Sequence, residues 1–175
     1  MNKNQKIFRK GEKHMKYEGV SLVRIDDRLI HGQVMTSWLN YLGANKIMVV
    51  DDQAAGDPFL KNVLKTCIPG NIKLAIFPID KAVERLKQPG AFSGDSCIIL
   101  VKYPETLYKM FKKGIVFDNI NIGGMGVSGT REKFFRNISA SAEEKAMFKE
   151  MIEAGSKIAC RIIAEDPETD ISGLL

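Results

Sequence analysis

The chain has 175 residues, of which 45% are hydrophobic and 27% are charged, as in an ordinary globular protein. Its formal net charge of +5 is carried by residues 1–16, which hold six Lys/Arg and one acidic residue, whereas the rest of the chain holds 20 basic and 20 acidic residues. This balance argues against a basic face that binds nucleic acid. No apolar run approaches the ~20 residues of a membrane-spanning helix.

We expect residues 1–18 to form a basic, disordered N-terminal extension and residues 19–175 to form one domain. The alternative for the extension is attraction to an anionic membrane surface. The three cysteines, Cys67, Cys97 and Cys160, lie far apart and match no CxxC or Cys/His pattern. They predict buried free thiols in a reducing compartment, and no metal site.

A polar turn between a short strand and a helix is the most informative feature of the chain. The apolar run from Leu22 to Ile25 predicts the strand, and the apolar face from Val34 to Leu42 predicts the helix. A strand that feeds a helix through such a turn brings polar groups to the carboxyl end of a sheet, where open α/β sheets bind ligands. The turn holds Asp26, Asp27, Arg28, His31, Gly32 and Gln33.

These residue types suit the binding of a phosphoryl group. Neutral imidazole is a good nucleophile, which His31 supplies. The Arg28 guanidinium suits phosphate oxygens, and the backbone amides at positions 32–34 would open the helix as an anion site. Asp26 or Asp27 would hold one imidazole nitrogen and leave the other free to attack. The turn therefore predicts an anion site and suggests a phosphoryl group on His31, with a solvated or capping histidine as the alternative.

Strand and helix patterns alternate along the rest of the chain. This alternation predicts a single-domain, doubly wound α/β fold with a mostly parallel open sheet and helices on both faces. The predicted local strand order is 3-2-1-4-5, with the first strand beside the ligand crevice. Further strands are predicted at 46–51, 74–77, 96–101, 119–122 and 158–163, and helices from Pro58 to before Pro69, over 81–87, over 105–113, and from Ser141 to about Glu153.

Three helices begin with sequence patterns typical of caps. Asp57 is expected to cap the helix that begins at Pro58, and Asp80 the helix that follows it. Ser141 and Glu144 have the spacing of a capping box.

Three further segments are interpreted from their position. Asp51 and Asp52 end the second predicted strand, at the same sheet edge as His31, and both a turn role and a site role are open for them. Residues 130–137 are predicted to form a turn with a short helical or extended piece. The acidic segment 165–170 is predicted to be a loop.

Residues 124–129 (GMGVSG) fit the GxGxxG pattern of a dinucleotide-binding loop. They support a second hypothesis, a nucleotide-binding module without phosphotransferase activity. Two features count against it. The pattern follows the fifth predicted strand instead of the first, and the acids near the required distance, Glu143 and Glu144, open a helix instead of ending a strand.

The segment RIDDRLIHGQV, residues 24–34, resembles the phosphorylation-site signature of the IIB components of the mannose/fructose/sorbose family of the bacterial phosphoenolpyruvate-dependent sugar phosphotransferase system. The similarity continues through residues 49–70 and NINIGGM and covers roughly Val20 to Ala164. It implies that His31 takes a phosphoryl group from a IIA histidine and passes it to the incoming sugar. It implies catalytic roles for His31, Arg28 and Asp26, phosphate binding by Gly32, Gln33 and Arg24, and a cleft that includes Asp51, Gly123, Gly124 and Met125.

The resemblance also implies the partners. They are a IIA phosphodonor protein or domain, the membrane components IIC and IID, and a hexose-type sugar. No cofactor, metal or nucleic acid is expected, and homo-oligomerisation is left open. The resemblance places the chain in the cytoplasm, held at the membrane through IIC and IID. A regulatory paralogue that keeps the phosphorylation site is a further alternative.

Overall fold

The computed structural model describes residues 17–175, so the predicted basic extension lies outside the described residues apart from its last two positions. The described chain alternates strands and helices. Their order is β1 (Val20–Asp26), α1 (Gly32–Leu42), β2 (Lys46–Val50), α2 (Asp52–Gly56), α3 (Pro58–Thr66), β3 (Lys73–Phe77), α4 (Ile79–Lys87), β4 (Cys97–Val101), α5 (Pro104–Lys112), β5 (Asn119–Gly124), β6 (Glu132–Phe135), β7 (Ile138–Ala140), α6 (Ala142–Glu153), β8 (Lys157–Cys160), β9 (Thr169–Asp170) and a 3-10 helix (Ser172–Leu174).

In the described chain, seven of the strands form one sheet in the order β3-β2-β4-β1-β5-β8-β9. Every neighbouring pair is parallel except β8 with β9, which is antiparallel. The predicted fold class, a mostly parallel α/β sheet, is therefore confirmed.

The predicted order 3-2-1-4-5 is wrong for two neighbouring strands, because β1 and β4 are exchanged and β4 lies between β2 and β1. All five residues of β4 (CIILV) are buried, which suits a strand in the middle of the sheet with both faces covered. After β1 the chain crosses to β2 on one side of the sheet, and after β4 it crosses to β5 on the opposite side. Because β1 and β4 are neighbours, the direction of winding reverses between them. The first strand therefore does lie beside the reversal, where such folds bind ligands.

Helices cover both faces of the sheet. The side chains of β2 alternate between two hydrophobic clusters, with Ile47 and Val49 in one and Met48 and Val50 in the other, as the geometry of a strand requires. Buried residues of α1 and α3 complete the first cluster, and buried residues of α4, α5 and α6 complete the second. The sheet is thus held rigidly from both sides.

The extended piece predicted within the turn at 130–137 is β6, which pairs with β7 as an antiparallel hairpin. Two other segments differ from their predicted structure. The last parallel strand, β8, ends at Cys160 instead of residue 163, because the carbonyl groups of Arg161 and Ile162 accept hydrogen bonds from the side chain of Arg24. The predicted loop at 165–170 includes β9, which pairs with β8.

The helix caps are mostly as predicted. Asp57 caps α3, and a capping box begins at Ser141 on α6. The prediction for Asp80 is wrong, because α4 begins at Ile79, two residues before the predicted start at residue 81, and Asp80 lies in its first turn. The backbone N–H of Ile79 instead donates to the carboxylate of Asp52 at 2.8 Å.

The cysteines divide into two groups. Cys97 and Cys160 are buried free thiols, as predicted, but Cys67 is exposed because it follows the last residue of α3 at a helix end that faces solvent. Within residues 17–175, no set of three or more His, Cys, Asp or Glu side chains is arranged to hold a metal ion. None of the helices described has the length and apolar character needed to cross a membrane.

Candidate active site

The loop between β1 and α1 holds His31 at the carboxyl end of the sheet. β1 ends at Asp26, and α1 begins at Gly32 with His31 as its N-cap residue in an extended conformation. Leu29 and Ile30 are buried in the hydrophobic cluster beneath α1, and Leu29 has a left-handed φ of 55°. A leucine adopts that conformation only where its surroundings require it. The two buried side chains therefore fix the path of the loop.

Asp26 is the centre of the hydrogen-bond network in this loop. Its Oδ2 accepts from Nη2 of Arg24 at 2.9 Å and from Nη2 of Arg28 at 3.1 Å. The same oxygen lies 3.1 Å from Nε2 of His31. Its Oδ1 accepts from Nε and the backbone N of Arg28 at 3.0 and 3.2 Å. One buried carboxylate thus contacts both arginines and the imidazole ring.

The protonation of Asp26 decides which nitrogen of His31 is free. Burial by itself raises the pKa of Asp26, but the hydrogen bond from Arg28, the charge of Arg24 and the hydrogen bond from His31 outweigh it, so the pKa lies below the ordinary value of 3.8. An ionised carboxylate can only accept hydrogen bonds, so Nε2 of His31 carries a hydrogen. Nδ1 is then the unprotonated nitrogen of the neutral ring.

The first turn of α1 presents free backbone N–H groups beside His31. The first hydrogen bond along the helix joins Met35 N to His31 O at 3.2 Å, so the amides of Gly32, Gln33 and Val34 have no acceptor within the helix. Gly32 is exposed, and a Cβ at this position would meet no atom within 4 Å. An anion can therefore approach the positive end of the helix.

Arg28 lies at the surface of the site. Half of its side-chain area is exposed, at 50%. Its hydrogen bond to Asp26 raises the pKa of Arg28, so the guanidinium stays charged. A charged and accessible guanidinium can turn toward an anion held by His31 without any change in the fold.

Arg24 does not lie where the resemblance implied. It is fully buried, at 0% exposure. Its guanidinium donates to Oδ1 of Asn121 at 2.6 Å, to Asp26 at 2.9 Å, and to the carbonyl groups of Arg161 and Ile162 at 3.0 Å each. All four Nη hydrogens are directed at protein acceptors below the surface, and Nε is buried without a partner within residues 17–175, so the guanidinium does not reach phosphate at the rim.

The glycines of β5 lie against this network. A Cβ at Gly123 would lie 1.8 Å from Cζ of Arg24, and a Cβ at Gly124 would lie 2.9 Å from Oδ1 of Asp26. These two predicted cleft residues therefore make room for the buried side of the site. Met125 does not line a cleft, because it is 1% exposed and belongs to the hydrophobic core.

Asp51 and Asp27 have other hydrogen-bond partners. Asp51 is the N-cap of α2 and accepts from the backbone N of Ala54 at 2.7 Å, which is the turn role left open for it. Asp27 accepts from the backbone N of Gly126 at 2.7 Å. Asp26 is therefore the acid placed against the imidazole.

The GxGxxG segment does not form a dinucleotide-binding loop. Gly124 ends β5, and the chain continues through an irregular segment into the β6–β7 hairpin, not into a helix. The segment thus lacks the helix N-terminus that would bind a pyrophosphate.

Sequence reasoning missed Asn121. This residue lies in β5, is 7% exposed and binds Arg24. An amide between two isoleucines of the strand (NINIGG) is the one local signal that could have identified it.

Comparison with known proteins identifies the family. A model described as the PTS system sorbose subfamily IIB component matches residues 20–175 of the chain. The chain belongs to this family of IIB components.

Individual relatives agree with this assignment. The protein is similar to the sorbose-specific EIIB component of Lacticaseibacillus casei, with 32% identity over 152 residues that cover 87% of this chain and 92% of the relative. The fructose-specific EIIB component of Bacillus subtilis (strain 168) is 27% identical over 156 residues, which cover 89% and 95% of the two chains. The crystal structure of the IIBSor domain of the sorbose permease from Klebsiella pneumoniae matches with a TM-score of 0.80 and 29% identity, covering 87% of this chain and 93% of that chain.

This IIB component is a phosphotransferase of a sugar phosphotransferase system that transfers phosphoryl groups to sugar during uptake. The predicted family and enzyme class are confirmed, and the nucleotide-binding alternative is not favoured. IIB components work with IIA components and with membrane IIC and IID components.

Proposed function

We propose that His31 carries the phosphoryl group, on Nδ1, between a IIA donor and the sugar. The hydrogen bond between Nε2 and Asp26 is the observation that carries the proposal. It supports Nδ1 as the nucleophile, and it holds the ring at the open N-terminus of α1, where one fifth of the side-chain area is exposed. A partner protein can reach a ring in that position.

The reaction consists of two displacements. In the first, Nδ1 of His31 attacks the phosphorus of the donor's phosphohistidine, a new N–P bond forms and the donor's N–P bond breaks. In the second, a sugar hydroxyl attacks and gives its proton to a base beside the sugar, a P–O bond forms, and the bond between phosphorus and Nδ1 of His31 breaks to release the ring. In this proposal, Arg28 and the amides of Gly32 and Gln33 stabilise the charge on the phosphoryl oxygens in both steps.

The proposal includes the partners of this chain. The donor is a phosphorylated IIA protein or domain, and the acceptor is a hexose-type sugar presented by membrane IIC and IID components. Binding to those components would hold the protein at the cytoplasmic side of the membrane. The relatives are named for sorbose and fructose, which supports a sugar of this size.

Transfer of a radioactive phosphoryl group from a phosphorylated IIA component tests the role of His31. We expect the wild-type protein to gain an acid-labile label and the His31→Ala variant to gain none. His14, the only other histidine of the chain, provides the matched control, since His14→Ala should be labelled like the wild type. Phosphorus NMR of the product should show phosphorus on Nδ1.

Two results would contradict the proposal. One is a wild-type protein that takes no label from any phosphorylated IIA component of the family. The other is a His31→Ala variant that keeps the full label. A product with phosphorus on Nε2 would contradict the choice of nitrogen alone.

A further inference from the structure

The site described above rests on a second layer of buried polar residues, Arg24 and Asn121. We propose that Arg24 and Asn121 are positioning residues that fix Asp26, and through Asp26 the orientation and tautomer of His31, while Arg28 is released to the phosphoryl group. This inference rests on the proposed role of His31.

The contacts of Arg24 make it a fixed partner of Asp26. Its Nη2 donates to Asp26 at 2.9 Å and to the carbonyl of Ile162 at 3.0 Å, and its Nη1 donates to Asn121 at 2.6 Å and to the carbonyl of Arg161 at 3.0 Å. The side chains of Arg24 and Asp26 are both 0% exposed. A buried guanidinium with four acceptors has no room to turn away from them.

Asn121 holds the far side of this guanidinium. It is the residue of β5 directly paired with Arg24 of β1, and both ends of its amide are used. The oxygen accepts from Arg24, and the nitrogen donates to the carbonyl of Arg161 at 3.1 Å. These two bonds set the position of the arginine relative to the sheet.

The neighbouring glycine supports the same reading. A Cβ at Gly123 would overlap the guanidinium, at 1.8 Å from Cζ and 1.9 Å from Nη2 of Arg24. The guanidinium of Arg24 therefore packs directly against the backbone of β5 at Gly123, which leaves it no space to move in that direction. Burial of a charge is costly unless the charge is paired and hydrogen-bonded. Arg24 is paired with Asp26 and its Nη atoms donate four hydrogen bonds, whereas its buried Nε has no partner among the described residues.

The two arginines therefore have different roles. Arg28 is half exposed, and the two hydrogen bonds from its guanidinium to Asp26 are given up, in part or whole, when the guanidinium turns to a phosphoryl group on His31. The hydrogen bond from its backbone N to Asp26 can remain. Arg24 stays in place at that moment. It keeps Asp26 ionised and correctly placed, so Nε2 of His31 stays bound and Nδ1 stays directed at the phosphorus.

The tautomer of His31 distinguishes positioning from a merely structural role. We expect nitrogen NMR of the unphosphorylated wild-type protein, at a pH at which the ring is neutral, to show hydrogen on Nε2. In Asn121→Leu, which removes both polar ends of the amide, we expect a mixture of the two tautomers. Asn121→Asp keeps an acceptor for Arg24 and should restore the wild-type tautomer.

Transfer kinetics from a phosphorylated IIA component provide the second measurement. We expect kcat of Asn121→Leu to fall about tenfold or more, the size typical for loss of a residue that orients a functional histidine. KM for the donor should not change, because Asn121 is buried and cannot touch it. Asn119→Leu is the matched control, since Asn119 lies on the same strand but is exposed, and both measurements should match the wild type.

Thermal unfolding shows whether each variant is folded, and Asn121→Ser removes the same contact with a smaller side chain if the leucine variant does not fold. The inference is overturned if a folded variant lacking the Asn121 amide keeps the wild-type tautomer and kcat. That result leaves the role of His31 intact, whereas full labelling of His31→Ala refutes the proposed function itself.

Discussion

Asp26 receives five hydrogen bonds, one from Arg24, three from Arg28 and one from His31. A carboxylate offers about four lone-pair positions, so this side chain is saturated with donors. An amide in its place would turn an N–H toward a neighbouring donor. The negative charge of Asp26 therefore holds His31 and the two arginines together, and protonation of Asp26 should weaken these hydrogen bonds.

The stability of the protein should depend on the protonation of Asp26. Its pKa is lower in the folded protein than its ordinary value of 3.8. The stabilisation is therefore fully present above that ordinary value and is lost as the pH falls through the lower, folded pKa. We expect the difference in free energy of unfolding between the wild type and Asp26→Asn to be constant between about pH 5 and pH 7 and to shrink below about pH 4.

Urea unfolding of both proteins across this pH range measures the difference. Because the two proteins share every other carboxylate, the comparison isolates Asp26. A difference that stays constant down to the lowest pH would show that Asp26 is not stabilised as an anion in the folded protein.

At the scale of secondary-structure elements, the site is formed where the carboxyl ends of β1 and β5 pair. β1 contributes the charged residues Arg24 and Asp26, and β5 contributes two glycines that have no side chain to oppose them. Gly124 also accepts the backbone N–H of Asp27 at 3.0 Å, which joins the loop to the strand. Larger side chains at Gly123 and Gly124 would occupy the space that Arg24 and Asp26 now fill.

Gly124→Ala should therefore disturb both the fold and the activity. The added Cβ would lie 2.9 Å from Oδ1 of Asp26 and 3.0 Å from Nη2 of Arg28, closer than such contacts normally are. We expect a loss of about 1–3 kcal/mol in the free energy of unfolding, the usual cost of overpacking. We also expect slower labelling of His31, since the carboxylate must shift.

Gly70→Ala is the matched control, because a Cβ at Gly70 would meet no atom within 4 Å. Urea unfolding and transfer from the IIA component measure the two effects. Equal stability and equal rates in the two alanine variants would show that the lack of a side chain at Gly124 is needed neither for stability nor for labelling of His31.

At the scale of the whole molecule, burial in the sheet should make two of the three cysteines less reactive than the third. Cys97 begins this buried strand, and burial raises its pKa to about 12. Cys160 ends β8, and burial raises its pKa as well. Cys67 lies at the exposed end of α3. The thiolate is the reactive form, so the fold should protect two of the three thiols.

A thiol-specific reagent tests this distribution. We expect one equivalent to react in the native protein and all three cysteines to react in denaturant. The Cys67→Ser variant should show no reaction until it is unfolded. Rapid reaction of a second thiol in the native state would indicate that the sheet is more open at its centre or at β8 than the structure shows.

Local patterns in the sequence determined most of the elements and the position of the candidate nucleophile. Apolar runs, helical periodicity and caps act over a few residues, so they located β1, α1 and the capping box at Ser141. They also placed His31 between a strand and a helix, which predicts the carboxyl edge of the sheet. The motif around His31 then indicated the family.

Only the tertiary structure decided the strand order and the inner layer of the site. β4 lies between β2 and β1 because its residues are buried throughout, and the sequence pattern did not state which strands would be its neighbours. Arg24 looked like a phosphate ligand until its partners were known, and the bond to Asn121 joins residues 97 positions apart. Burial and pairing over such distances depend on the packing of the whole sheet, whereas local patterns report only on neighbours along the chain.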